Sequence, residues 1–461
     1  MSYRHWALTG LLWIFGGLTL SAQLPWLKVA ANGRYFETAD GKPFFWLGDT
    51  GWLLFVKCNR NEAIQYLDTR RQQGFNVIQA MILHDMNNTR NVYGSTALLL
   101  EDVSKPNITP GNNPENATAY DFWDHIDFII EEAAKRDIYM ALVPVWGSNV
   151  KAGKVNTAQA KAYGEFLGRR YGQYSNIIWL NGGDIKGTDS MEVWQALGNT
   201  IKQYAPKQLM TFHPRGRTSS SEWFHNQPWL DFNMFQSGHK NYTQDTVAAE
   251  THHFGEDNWR YLAMDYALQP AKPSFDGEPS YENIPQGLHD TKQPRWTDAD
   301  LRRYAYWSTF AGGAGFTYGE NSVMQFNNKG DWTANYGVTA NWKDMLKAPG
   351  ATQMVHLKNL MCSKPFTTGR PAQYLVANNG LQYNRVAAIQ GHGYVMMYVY
   401  NGRNFEVDGN ALPFKPSVAE WMNAATGEII IWKGFKPKVK IKANPPGRTR
   451  NGNDWVLILM P

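Results

Sequence analysis

From residue 44 onward, short continuous apolar runs alternate with stretches whose apolar positions recur every three or four residues. The first pattern fits strands buried on both faces and the second fits amphipathic helices. Residues 76–82 form one such run, preceded by a helical stretch over 61–73 that stops at Gly74. Residues 121–136 set Phe122, Ile126, Ile129, Ile130 and Ala133 on one helical face and lead into the run 138–146. The pairing recurs at 158–171 with 177–180, at 191–204 with 209–212, at 257–268 with 273–276 and at 298–310 with 315–318. A further strand is predicted over 230–235. Upstream, Arg34-Tyr35-Phe36, a turn at Ala39-Asp40-Gly41 and the run 43–49 predict a β-hairpin that feeds the first strand. Eight strands with helices in most of the gaps between Phe44 and Tyr318 predict an α/β architecture, a (β/α)8 TIM barrel. An open doubly wound sheet fits less well, because Gly48-Asp49-Thr50-Gly51 lacks the G-x-G-x-x-G phosphate turn.

After residue 363 the texture changes to short β-type runs at 374–376, 385–389, 394–400, 418–422, 429–432 and 455–459. Turns such as Asn378-Asn379-Gly380, Gly391-His392-Gly393 and Asn401-Gly402 separate several of them, which predicts a small antiparallel β-sandwich domain. At the other end, Arg4 and His5 precede a nearly uncharged run from Trp6 to Leu20 and the small residues Ser21-Ala22. The run is shorter than the roughly 20 residues that span a bilayer, so a removable export signal is preferred over a membrane anchor. The expected organisation is a signal peptide over 1–22, a catalytic barrel with its N-terminal hairpin over 23–363, and the sandwich over 364–461. The mature protein is expected in the periplasm or at the cell surface, without a membrane span.

Composition narrows the chemistry. With 43% apolar and 18% charged residues the chain can bury a large core, which excludes intrinsic disorder. A net charge of +5, taken over 461 residues, argues against a nucleic-acid partner. Cys58 and Cys362 are too far apart in sequence for a thiolate zinc site or a disulfide framework. No H-E-x-x-H or G-x-S-x-G motif occurs, and neither a metal nor any other cofactor is expected. A site assembled from His84, Asp85, His213 and His239 is the residual metal alternative.

Reacting groups of a barrel sit at the carboxyl ends of its strands. Those ends carry Asp49, His84, Trp146, Asn181 with Asp184, His213, Gln236 with His239, Glu278, and Tyr318 with Glu320. Two of these places have distinctive contexts. In Trp179-Leu180-Asn181-Gly182-Gly183-Asp184 the glycines permit a sharp turn that presents Asp184 to the barrel mouth, although a helix cap is an equally good reading of that aspartate. In Asp276-Gly277-Glu278-Pro279 a strand pleat would set both acids on one face, the alternative being a loop acid paired with arginine. Strands four and seven stand roughly opposite each other in such a ring. Two carboxylates meeting across it suit glycoside hydrolysis, in which one protonates the leaving oxygen while the other attacks the anomeric carbon or activates water. Trp52, Trp146, Trp223 and Tyr318 are candidate sugar-stacking walls, and Arg215 and Arg217 candidate partners for acidic sugars.

At these residues the chain resembles bacterial glycoside hydrolase family 140. The similarity runs through Tyr35-Phe36, Asp40-Gly41-Lys42-Pro43-Phe44-Phe45-Trp46-Leu47-Gly48-Asp49-Thr50, Trp179 to Asp184, and Asp276 to Pro279. The resemblance implies a cellulase-like retaining barrel with apiosidase activity on rhamnogalacturonan II pectin, followed by a β-sandwich labelled as collagen-binding. It implies Asp184 as acid/base and Glu278 as nucleophile. From their strand-end and aromatic positions, Asp49, Trp52, His84, Trp146, Asn181, His213, Gln236, His239 and Tyr318 are expected around the sugar. The expected partner is a plant cell-wall polysaccharide or its oligosaccharides. The strand-four acid of most of that clan is a Glu directly after an Asn, whereas here two glycines and the shorter Asp184 follow Asn181. Two other readings compete: a glycosidase of the same clan acting on another glycan, within the chain or at its end, and a non-catalytic glycan- or matrix-binding protein. A closed pocket built by the long 84–120 loop would favour exo action.

Overall fold

The computed structural model describes residues 24–461 apart from 88, 117 and 249. The expected export signal lies outside the described residues. The chain opens with a three-stranded antiparallel sheet, β1 (Leu27–Val29), β2 (Phe36–Thr38) and β3 (Pro43–Phe44). The hairpin of β2 and β3 is the predicted one, and β1 is an added strand that the sequence pattern did not signal.

Eight strands then run parallel: β4 (Trp46–Thr50), β5 (Val77–Leu83), β6 (Tyr139–Val145), β7 (Ile177–Ile185), β8 (Met210–Pro214), β10 (Asn233–Gln236), β11 (Ser274–Asp276) and β12 (Gly315–Tyr318). A two-residue strand, β9 (Thr218–Ser219), pairs antiparallel with β10. The ladder runs from β8 through β7, β6, β5, β4, β12 and β11 to β10. The ring closes between β8 and β10, where Asp231 N donates to Met210 O at 2.8 Å and Thr211 Oγ1 to Phe232 O at 2.6 Å. Phe36 of the hairpin packs on Phe232 at 5.1 Å, and Trp46 lies 4.6 Å from Phe275. These rings sit at the amino ends of their strands, so the hairpin plugs the floor of the barrel and leaves the carboxyl ends as its open mouth.

The predicted helices appear as Arg60–Gln72, Phe122–Ala134, Thr157–Tyr171, Met191–Tyr204, Trp259–Ala267 and Asp298–Phe310. Four of them begin with reciprocal capping boxes, at Asn59/Glu62, Asp121/Asp124, Asn156/Gln159 and Thr297/Asp300. One long helix, Pro349–Cys362, carries no amphipathic signal strong enough to have been predicted. Its Pro349-Gly350 start reads as a loop, yet proline at the first helical position loses no hydrogen bond.

The C-terminal region is antiparallel, as predicted. One sheet holds β13 (Arg370–Pro371), β14 (Val386–Gly391), β15 (Tyr394–Val399), β20 (Trp455–Met460), β17 (Val418–Asn423) and β18 (Ile429–Ile431) in that order. A second sheet pairs β16 (Phe405–Asp408) with β19 (Lys440–Ala443). Neither strand of that pair was predicted, because each is short and half charged. The run expected at 374–376 is instead a turn of 3-10 helix over Gln373–Leu375.

The two parts share a buried seam. Arg302 Nε donates to Asp454 Oδ2 at 2.8 Å, with both side chains almost fully enclosed. Tyr306 stacks on Tyr398 at 4.5 Å and 8°. Residues 301–310 are buried throughout, since the helix Asp298–Phe310 lies between the barrel and the sandwich.

Candidate active site

A cavity of about 390 Å3 occupies the barrel mouth, and both Asp184 and Glu278 line it. Asp184 comes from the end of β7, where the ladder to β8 shifts register between Gly182 and Ile185. Gly182, Gly183 and Asp184 have φ of +95°, +112° and +47°, so three successive residues turn through left-handed backbone. Gly183 is required by space as well as angle: a Cβ there would lie 2.6 Å from the Trp146 ring. This bulge turns Asp184 into the cavity. The helix-cap alternative falls away, because Ser190 precedes the next helix.

The strand β11 ends at Asp276, so the alternation of faces does not carry on to Glu278. Contrary to expectation the two acids point apart. Asp276 is enclosed below the cavity, accepting from Ser237 Oγ at 2.6 Å and Asn258 Nδ2 at 2.9 Å. Glu278 reaches the cavity and meets two imidazoles instead of an arginine. His239 Nε2 is hydrogen-bonded to its Oε1 at 3.2 Å, and His213 Nε2 stands 3.1 Å from its Oε2.

In ring order β8 and β10 separate β7 from β11 along the shorter arc, so strands four and seven are not opposite. His213 lies on β8, and His239 lies just past β10. Each intervening strand therefore supplies one imidazole between the two acids.

The carboxyls are pushed in opposite directions. The recess of the cavity, and then the nearby Glu278 charge, raise Asp184 to about 6 against a smaller pull from the two histidines. Burial would raise Glu278 too. The imidazole nitrogens of His213 and His239, which face its two oxygens, overcome it and hold Glu278 well below the ordinary glutamate range.

Of the other predicted residues, Trp52, His84, Trp146, Gln236 and His239 line the cavity. Trp52 and Trp146 are 5.5 Å apart, and Trp52 Nε1 donates to Tyr281 OH at 3.1 Å. Five expectations are corrected. Asp49 is wholly buried in an ion pair with Arg70 Nε at 2.6 Å, and Tyr66 OH donates to it. Asn181, on the near side of the bulge, points outward and donates to Trp194 O at 2.8 Å. Tyr318 is enclosed and donates to Glu282. Trp223 packs on Phe212 at 6.1 Å, away from the cavity. Glu320 caps the short helix Asn321–Met324 by accepting from Ser322 N and Val323 N.

The rim was only partly legible. Arg215 and Arg217 do line it, paired to Glu250 at 2.6 and 3.2 Å, with Arg217 also 2.9 Å from Asp245. Lys240, Tyr281, His289 and Tyr336 were missed. Burial, then Glu278 and Asp184, raise the Tyr336 phenol, which places that ring within the field of both acids. Among the described residues of the 84–120 loop only His84 lines the walls, and the enclosure is built mainly by other loops. No group of three or more His, Cys, Asp or Glu able to hold a metal ion occurs among the described residues.

Residues 30–368 match the family model described as "Apiosidase-like, catalytic domain". Residues 371–460 match one described as "Putative collagen-binding domain of a collagenase". No curated protein matches the chain. A solved structure described as "Glycoside hydrolase" is 44% identical, with 95% of this chain and 97% of that one aligned at a TM-score of 0.89. A glycoside hydrolase family 5 protein from Bacteroides vulgatus ATCC 8482 is 42% identical, over 94% of this chain and 93% of that one, also at 0.89. Another Bacteroides vulgatus structure shares the fold alone, at 12% identity over 95% of this chain and 83% of that one, with a TM-score of 0.64.

Proposed function

The chain belongs to the apiosidase-like glycoside hydrolases, and from that premise we propose that it is a retaining, exo-acting apiosidase acting on side chains of rhamnogalacturonan II. The observation that carries the catalytic part is the divergence of two carboxyls in one cavity. Glu278 is kept as a carboxylate by His213 and His239, while Asp184 is disposed to hold a proton. Environments that separate two titrating groups in this way assign nucleophile and acid.

In the first step a Glu278 oxygen bonds to the anomeric carbon as the bond to the aglycone oxygen breaks, and Asp184 delivers its proton to that oxygen. The aglycone leaves with its hydrogen. In the second step the Asp184 carboxylate takes a proton from water, whose oxygen displaces Glu278 from the same carbon. The sugar departs with its original anomeric configuration, and both acids return to their starting states.

The size of the cavity, near the small end of ligand pockets, supports a terminal sugar over a run of polymer. Trp52, Trp146 and Tyr336 line it with aromatic rings, and Lys240, beside Arg215 and Arg217 in their ion pairs, leaves the rim a positive charge that suits an acidic aglycone. Residues 1–22 as export signal, 23–363 as catalytic unit, 364–461 as accessory unit, and a periplasmic or cell-surface address belong to the same proposal.

The test is incubation of the purified protein with pectin fragments, reading the released monosaccharide and its first-formed anomer by NMR. Free apiose with retained configuration is expected, and Glu278→Ala and Asp184→Ala should each abolish it while remaining folded. Release of another sugar would overturn the apiose assignment alone. Inversion would remove the nucleophile role from Glu278.

A further inference from the structure

The chain's excess of positive charge is not spread along it. Residues 371–461 carry ten Lys and Arg against five Asp and Glu, which equals the excess of the whole chain. Between Glu428 and Asp454 there are seven cations and no acid. The charge of this region is therefore concentrated, unlike that of the chain taken as a whole.

The fold gathers that charge on one outer face of the sandwich. Lys436, Lys438, Lys440 and Lys442 alternate with Pro437, Val439 and Ile441, and the four lysines are exposed. Together with the half-buried rings of Trp432 and Phe435, which lie 5.2 Å apart, they line a groove of about 520 Å3. An adjoining groove of about 510 Å3 shares Lys438 and Ile441 and adds Lys415 and Phe414. Asp408 and Glu406 oppose Lys440 and Lys442 across the β16–β19 ladder. Among the described residues none of these groove lysines has an ion-pair partner, and Lys436 and Lys438 lie in a loop with no acid in register.

The other sandwich aromatics are already occupied. Tyr398 stacks in the seam and Tyr394 is enclosed, while Trp421 belongs to the sandwich core. Of these four rings Trp432 alone reaches the surface, backed by Trp421 at 6.0 Å.

We propose that this groove is a binding site for an acidic polysaccharide, a chain of uronate sugars. Flat rings accept the apolar faces of pyranoses, and lysines at regular intervals meet carboxylates repeated along a polymer. The groove contains lysine and no arginine. Arginine is the residue suited to bidentate phosphate, whereas a flexible ammonium serves as a point charge for single carboxylates. This favours a uronan over a nucleic acid, and the same chain carries a glycoside hydrolase barrel that would use a tethered glycan.

The experiment is affinity electrophoresis of the full chain in gels containing polygalacturonate, fully methyl-esterified polygalacturonate or duplex DNA. Polygalacturonate should retard the protein, less so as salt is raised, and the esterified polymer should not. The variant Lys436→Gln/Lys438→Gln/Lys440→Gln/Lys442→Gln should bind polygalacturonate roughly tenfold or more weakly, four exposed charge contacts having been removed. Its thermal midpoint should match that of the parent chain, since the altered side chains are exposed. Equal retardation by the esterified polymer, unchanged binding by the variant, or tighter binding to duplex DNA would each overturn the proposal. Retention is read without turnover, so its failure leaves the catalytic reading standing.

Discussion

Nδ1 of His213 accepts the backbone N–H of Asp184 at 3.3 Å. An imidazole nitrogen that accepts carries no proton, so the ring proton sits on Nε2, the atom 3.1 Å from Glu278. One ring thus fixes the main chain of one acid and faces the carboxylate of the other. Its tautomer is set by the bulge that presents Asp184.

Replacing this ring should affect both acids. His213→Ala is expected to lower kcat/KM by about 10²- to 10³-fold, the usual cost of one preorganised donor. His239→Ala should cost a similar factor, yet leave the Asp184 backbone in place. Both losses should be accompanied by an acidic limb moving up into the measurable pH range as Glu278 loses a partner. Steady-state pH profiles of the two variants check this, and an unshifted acidic limb would show that the rings only fill space.

The unmodified enzyme should favour acid. Asp184 must be protonated in the first step, and its raised pKa of about 6 keeps the productive form present below that pH and depletes it above. Glu278 must be ionised, and its lowered pKa preserves the carboxylate well into the acid range. kcat/KM should be flat on the acid side of pH 6 and then fall about tenfold per unit. A profile that rises through pH 6 would reverse the two roles.

Gly183→Ala should be damaging although it adds one methyl group. The new Cβ would press on Trp146 at 2.6 Å from a backbone angle that L-residues avoid. Backbone strain of about 1–3 kcal/mol is expected, with a rate loss of about 10²-fold from displacement of Asp184 and Trp146. Urea unfolding and kcat/KM, measured on the same preparation, separate the two effects.

Asp49→Ala should act on stability and not on the sugar. It leaves Arg70 buried without its carboxylate, a loss of about 3–5 kcal/mol. The protein that remains folded should keep its KM. A raised KM with unchanged stability would return Asp49 to the binding site.

The barrel was legible because its strands are buried on both faces and therefore appear as unbroken apolar runs. The helix Pro349–Cys362 was not, since its weak amphipathy and Pro-Gly start resemble a loop. Site residues were legible to the extent that strand ends could be located. Asp184 and Glu278 lie outside the regular ladder, one within a bulge and one after the last paired residue, where local backbone decides direction. Asn181, Asp49 and Tyr318 lie within the strands, and the pairing there turns them toward enclosed partners. Lys240, Tyr281 and Tyr336 sit on loops, whose approach to the mouth depends on tertiary packing that no periodicity encodes.

Beyond its first turn, the helix Asp298–Phe310 has no face left for water, because the barrel covers one side and the sandwich the other. A chain cut after residue 363 would leave Tyr306 without its stacked ring and Arg302 with Asp298 but without its buried partner Asp454. Such a fragment should aggregate on expression instead of yielding a minimal enzyme, so the accessory portion is a structural wall of the catalyst and cannot be dissected from it as a detachable adaptor.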